Sequence, residues 1–241
     1  MNGLQTFVTG NGDSQRTLVV VFLRGGADGL NLVAPLQDDG YYHARPRIGI
    51  AKNKAVPLDG FYGLHPLLKE LEPAYKDGAL AIIHAAGSED STRSHFEAQD
   101  LMEHGGIVAG GWLGRFLRER NSGAAGPLSA VVLGRSMPEC LRGAPSATVF
   151  QSLDDFSLGD NSGRLIASLA RLYDSRQDSL GGAGRYTLEA LRRIETLRHA
   201  AYHPANGADY AKDDFSAGLR QIGRLIKARV GLEAASLDLG G

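Results

Sequence analysis

Residues 17–23, TLVVVFL, form a short, continuous, β-branched run, the pattern of a strand covered on both faces. The run ends in RGGADG at 24–29, a turn rich in residues that tolerate positive φ. A second run of the same kind, ALAIIHA at 79–85, follows an amphipathic pattern over 65–75 that predicts a helix, with Pro66 suited to its first turn and Gly78 to its exit. Residues 128–133 and 147–150 predict two further short strands. Between 161 and 230 the pattern changes to helices: Leu165, Ile166, Leu169 and Leu172 share one face, as do Leu188, Leu191, Ile194 and Leu197, and then Leu219, Ile222, Leu225 and Ile226. Residues 232–239 alternate loosely, like a strand, before Gly240 and Gly241. Strands separated by helices predict an α/β fold with a mostly parallel sheet and helices on both faces. No internal repeat or low-complexity linker interrupts the order, so one domain over 1–241 is expected, with residues 1–16 disordered. A strand of buried type followed by two glycines reads as a cut end whose strand lies at an open edge.

Composition narrows the function classes. The chain has 241 residues, 43% of them hydrophobic, enough for one sizeable core. Lys and Arg total 26 against 27 for Asp and Glu, and no block of five like charges occurs, which removes the footprint of a nucleic-acid or anionic-membrane binder. The longest apolar run, 18–23, is far short of a membrane span, so a soluble chain is expected. The opening MNGLQTFVTGNGDSQR has neither an apolar signal region nor a twin-arginine pair and, as it stands, reads as cytoplasmic. Cys140 is the single cysteine, which rules out an internal disulfide and a thiolate metal cluster.

In parallel α/β sheets ligands sit outside the carboxyl ends of strands, which singles out Asp28 and the cluster at 88–95, and predicts that the two lie at one sheet edge. Asp28 is a hard oxygen donor in a glycine turn, suited to a divalent metal; the alternative is an Asp-Gly pair that supports only its own turn. The turn matches neither G-x-G-x-x-G nor a P-loop, which disfavours a nucleotide fold. In GSEDSTRSHFEAQD, 87–100, Ser94 and Glu97 spell a capping box, so Ser94 reads as an N-cap. A helix N-terminus also favours an alkoxide or a bound phosphate, and Arg93 suits anionic oxygens. His95 reads as a ligand, a proton carrier or a packed residue. His65, His84 and His104 show no H-x-x-x-H spacing, and no G-x-S-x-G elbow supports a serine-hydrolase triad.

The segments VVVFLRGGADGLNLVAPL (19–36), YGLHPLLKEL (62–71), LAIIHAAGS (80–88), RSHFEAQD (93–100) and GWLGRFL (111–117) together resemble the bacterial domain-of-unknown-function family numbered fifteen-oh-one. That family belongs to the alkaline phosphatase and sulfatase superfamily, whose members act on phosphate and sulfate esters with a hydroxyl nucleophile on bound divalent metals. The resemblance implies an alkaline-phosphatase-like fold, Asp28 as a metal ligand and Ser94 as the nucleophile, with Ser91 and Thr92 as fallbacks and Arg93 steering the anion. It also implies zinc, manganese, magnesium or calcium as cofactor, a phosphate or sulfate ester as substrate, and twin-arginine export in many members. Family members continue after LDLGG (237–241) with Trp-Asp-Thr-His, Ser-Glu-Phe-Gly-Arg and Asp-His-Gly-His segments, which look like the sources of further ligands. The chain is therefore expected to be the N-terminal half of such a hydrolase, truncated, unable to complete a two-metal site and inactive alone. The competing expectations are a non-catalytic recognition or cell-surface assembly domain of the same fold, and a truncated product without independent function.

Overall fold

The computed structural model describes residues 16–87, 89–106, 109–120, 126–154 and 162–240. The expectation of disorder over 1–16 lies outside these residues except at Arg16, and Ser88 of the 88–95 cluster also lies outside them. Along the chain the strands are β1 (Leu18–Leu23), β2 (Val33–Pro35), β3 (Val56–Pro57), β4 (Tyr62–Leu64), β5 (Ala130–Leu133), β6 (Thr148–Phe150) and β7 (Ala234–Leu239). The α-helices are α1 (Gly29–Leu32), α2 (Asp39–Ala44), α3 (Glu72–Lys76), α4 (His95–His104), α5 (Trp112–Arg120), α6 (Ser162–Asp174), α7 (Ser179–His199) and α8 (Asp214–Lys227). The described chain divides into two compact units: Leu23–Ser91 is the body of one, and Thr92–Leu239, with the residues of β1 up to Phe22, forms the other.

In the larger unit a four-stranded sheet runs in the order β1-β7-β5-β6, and β5 pairs in parallel with both β6 and β7, Val131 lying opposite Thr148 on one side and Ala235 on the other. Side chains alternate across a strand, so β5 sends Val131 and Leu133 to one face and Ala130 and Val132 to the other. The first face is covered by Ala190 and Ile194 of α7 with Ile222 and Leu225 of α8; the second by Leu113 and Leu117 of α5 with Cys140 and Leu141 of a short 3-10 turn. The expected α/β sheet with helices on both faces is thus present, as are the strands read at 128–133 and 147–150.

Several details differ from the sequence reading. The closing strand is not at an edge: β7 lies between β1 and β5, with Ala234, Ala235, Ser236 and Leu237 all buried. Small residues at 234 and 235 let helices approach from both sides, which an alternation count cannot register. The opening strand β1 is instead at the end of the order. It packs Val19 and Val20 on opposite core clusters and leaves Leu18, Val21 and Leu23 near 40% exposed (41%, 39% and 42%). The run at 79–85 forms no strand; Ile83 is exposed, and Ala85 takes a left-handed φ of 52° that ends any extended path. Finally, α6 leaves Leu165 and Leu172 largely exposed, whereas the faces read for α7 and α8 are buried or half-buried apart from Ile226.

The smaller unit carries an antiparallel sheet of order β2-β4-β3, in which Ala34 faces Gly63 and Val56 faces Leu64, over a core of Ala34, Leu36 and Tyr41. The helix expected over 65–75 is split into a 3-10 turn, Pro66–Leu71, and α3. Pro73 explains the break, since it has no N–H to donate and its ring crowds the carbonyl four residues back. Gly78 does end the segment, at φ 70°. No helix among the described residues is long and apolar enough to cross a membrane.

Candidate functional site

Asp28 follows β1 through a turn in which Gly26 sits at φ 75°, a conformation that favours glycine, and it caps α1 by accepting the Leu30 amide on Oδ1 at 3.1 Å. Its carboxylate also receives a fork from Arg45: Nε donates to Oδ2 at 2.9 Å and Nη2 to Oδ1 at 3.2 Å. The Arg45 hydrogen bond is the main reason the Asp28 carboxyl titrates below the usual carboxylate range, against an opposing contribution from desolvation. Three residues on, Asn31 continues the same attachment. Its Oδ1 accepts from the Tyr41 hydroxyl at 2.7 Å, its Nδ2 donates to Ile48 O at 3.1 Å, and the Tyr41 oxygen accepts the Ile50 amide at 2.7 Å. The GADGLN stretch therefore fastens the chain at 45–50 by side chains alone. Arg45, Tyr41 and Asn31 escaped the sequence reading because Arg45 is 17 residues from Asp28 in a stretch with no motif of its own.

In the other unit, Ser94 is the N-cap of α4 and its Oγ accepts the Glu97 amide at 3.3 Å. Glu97 does not reach back to the Ser94 amide as in the usual capping box. Thr92 is interposed, its Oγ1 accepting from Ser94 N at 3.2 Å and donating to Glu97 Oε2 at 2.7 Å. Arg93, Ser94 and His95 are all exposed. The His95 ring lies with Nε2 2.6 Å from Gln99 Nε2, one helical turn on, and edge-on to Phe96. Ser91 ends the smaller unit and Thr92 begins the larger one, so Asp28 belongs to one unit and Arg93, Ser94 and His95 to the other. Asp28 follows β1, but 79–85 is not a strand, so strand topology does not bring the 91–95 segment to the same sheet edge as Asp28.

His65, His84 and His104 have local roles. His65 Nδ1 accepts the Leu67 amide at 3.2 Å, His84 stacks on Tyr62 with ring centroids 3.9 Å apart, and His104 Nε2 lies 3.3 Å from Glu139 Oε2. Among the described residues no three His, Cys, Asp or Glu side chains gather closely enough to hold a metal ion. Asp28, the one ligand expected here, accepts three donors on two oxygens and has a cation beside it, so these residues do not make a divalent-metal site. A cleft of about 430 Å³ lies along α6 and α7, lined by Asp174, Arg185, Tyr186 and Arg192 among others, and includes none of the candidate site residues read from the sequence. Compared with known proteins, the chain matches no family model, no curated protein and no solved structure.

Proposed function

We propose that the chain is a scaffold portion of an alkaline-phosphatase- and sulfatase-like ester hydrolase and that it does not turn over phosphate or sulfate esters by itself. The resemblance of five ordered segments to family fifteen-oh-one supports the first half of this reading, and a parallel sheet with helices on both faces agrees with it. The second half rests on one observation: the metal ligand and the leading nucleophile that the resemblance names each already have a structural partner. Asp28 is held by Arg45, and the Ser94 oxygen is an acceptor for the helix it caps. A serine hydroxyl needs an adjacent base or a bound metal to attack near neutral pH, whereas the Ser94 Oγ bonds to the Glu97 amide, and among the described residues no group of three His, Cys, Asp or Glu side chains could hold a metal. Under this reading the remaining ligands belong to segments outside these 241 residues.

The test is turnover of p-nitrophenyl phosphate and p-nitrophenyl sulfate by the purified chain with zinc, manganese, magnesium or calcium added. No turnover above buffer is expected. Chelator-sensitive turnover that disappears in Ser94→Ala would show a complete site in this chain and defeat the proposal.

A further inference from the structure

We infer that Arg45 is the resident cation of Asp28: its guanidinium takes the place the family resemblance gives to a divalent metal, and the pair clamps the turn after β1 to the 45–50 loop. A planar guanidinium matches a carboxylate through two parallel N–H···O bonds and stays charged at any pH the fold survives. Here both bonds are made, and the side chains of Arg45 and Asp28 are only 22% and 34% exposed. The Leu30 amide adds a third donor to Oδ1. Arg45 is itself steadied over the buried Tyr41 ring, 5.8 Å from its centroid, and Tyr41 is tied to Asn31 and Ile50. A doubly charged ion brought to Asp28 would have to expel the guanidinium or bind beside a like charge. Among the described residues no group of three His, Cys, Asp or Glu side chains stands ready to complete the coordination a hard cation requires. Which cation Asp28 holds is read from proteolysis and metal binding rather than from ester turnover, so the clamp and the hydrolase reading fail in different experiments.

A double-mutant cycle on the whole chain tests the clamp, with Asp28→Asn, Arg45→Met and the double variant compared by the rate of limited proteolysis within residues 24–50, which follows the population of the locally opened form. Each single change is expected to raise cleavage about fivefold, the upper end for a partly exposed ion pair, with the double variant no faster than either. Arg45→Lys, which keeps the charge and loses the fork, should fall between wild type and Arg45→Met. In parallel, manganese titrated into the wild-type chain and followed by electron paramagnetic resonance should remain free, and EDTA should leave the cleavage rate unchanged. Manganese that binds the wild type, slows cleavage of 24–50 and fails to bind Asp28→Asn would overturn the inference. Additive single-mutant effects would do the same, because they would show that the two side chains act independently. Should the Met and Asn variants not fold, the wild-type manganese and EDTA measurements and the Lys variant still decide the matter.

Discussion

Thr92 donates its hydroxyl hydrogen to Glu97 Oε2 at 2.7 Å while accepting the Ser94 amide at 3.2 Å, so the reciprocal half of the cap on α4 runs through a residue two positions before the N-cap. An N-cap oxygen that serves the helix is engaged as an acceptor, and its worth can be read from stability without reference to catalysis.

Ser94→Ala should therefore destabilise the larger unit by about 1 kcal/mol, whereas Ser94→Asp should retain most of the cap and add a favourable charge at the helix N-terminus. Thr92→Val should loosen the same turn by breaking the relay to Glu97. Hydrogen exchange of the first amides of α4, with urea unfolding for the total, checks the set. Equal protection in Ser94→Ala and wild type would show that the cap contributes nothing.

Several carboxylates titrate low for reasons that differ in kind, and together they predict an acid limb of stability. Asp28 is lowered chiefly by Arg45, Asp178 by Arg176, Glu195 by His199 and Arg198, and Asp59 and Asp213 by backbone amides. Each folded value lies below its unfolded one. The stability they contribute is therefore fully present above about pH 4, the unfolded carboxylate range, and is lost as pH falls through the lower folded values, because the unfolded chain takes up protons first. Asp213 isolates one such contribution. It caps α8 by accepting the Ser216 amide and hydroxyl, each at 2.8 Å. Asp213→Asn keeps a capping side chain and removes the charge, so its deficit against wild type should be largest near neutral pH and shrink as the pH drops below the carboxylate range. Urea unfolding at a series of pH values measures this, and a deficit that grows toward acid would mean that the charge on Asp213 does not stabilise the cap.

The parts of the fold written in the sequence are those in which one element decides its own burial. The faces of α7 and α8 follow from spacing alone, and Ile194, Ile222 and Leu225 are buried as their periodicity requires. Strand order is not local information: nothing in AASLDL shows that β7 enters between β1 and β5, because that depends on which neighbours leave room. The run at 79–85 shows the limit of β-propensity, which measures fit to a half-buried pleated surface and finds none here. At the candidate residues, the turn role of Asp28 and the cap role of Ser94 were legible from Asp-Gly and S-x-x-E. The partner that fixes Asp28 was not, since an arginine 17 residues away announces itself only once the chain has folded back.

The surroundings of the glycines separate two outcomes that composition cannot. In α7, Gly184 packs against the Tyr173 ring of α6, and a Cβ there would overlap the ring, whereas a Cβ on Gly182 would meet nothing within 4 Å. Gly184→Ala should push the two helices apart and cost about 1–3 kcal/mol, as overpacking does. Gly182→Ala should stabilise by about 0.5–1 kcal/mol, since alanine loses less backbone entropy in a helix interior. The GWLGRFL segment carries a sharper case. A Cβ on Gly111 would overlap the carbonyls of Glu139 and Cys140, and one on Gly114 would lie 2.5 Å from Arg142 O. These are backbone atoms of the turn that α5 packs on, and that turn is fixed in place by the Gly111 amide donating to Arg142 O at 3.1 Å and by buried Glu103 accepting the Cys140 amide at 2.8 Å. A side chain can rotate away from a new methyl group, but a pinned carbonyl cannot, so Gly111→Ala should be the most damaging of the four. Thermal unfolding ranks them: Gly182→Ala above wild type, then Gly184→Ala, with Gly114→Ala and Gly111→Ala lowest. A Gly111→Ala protein as stable as wild type would mean that α5 does not sit on the 139–142 turn as described.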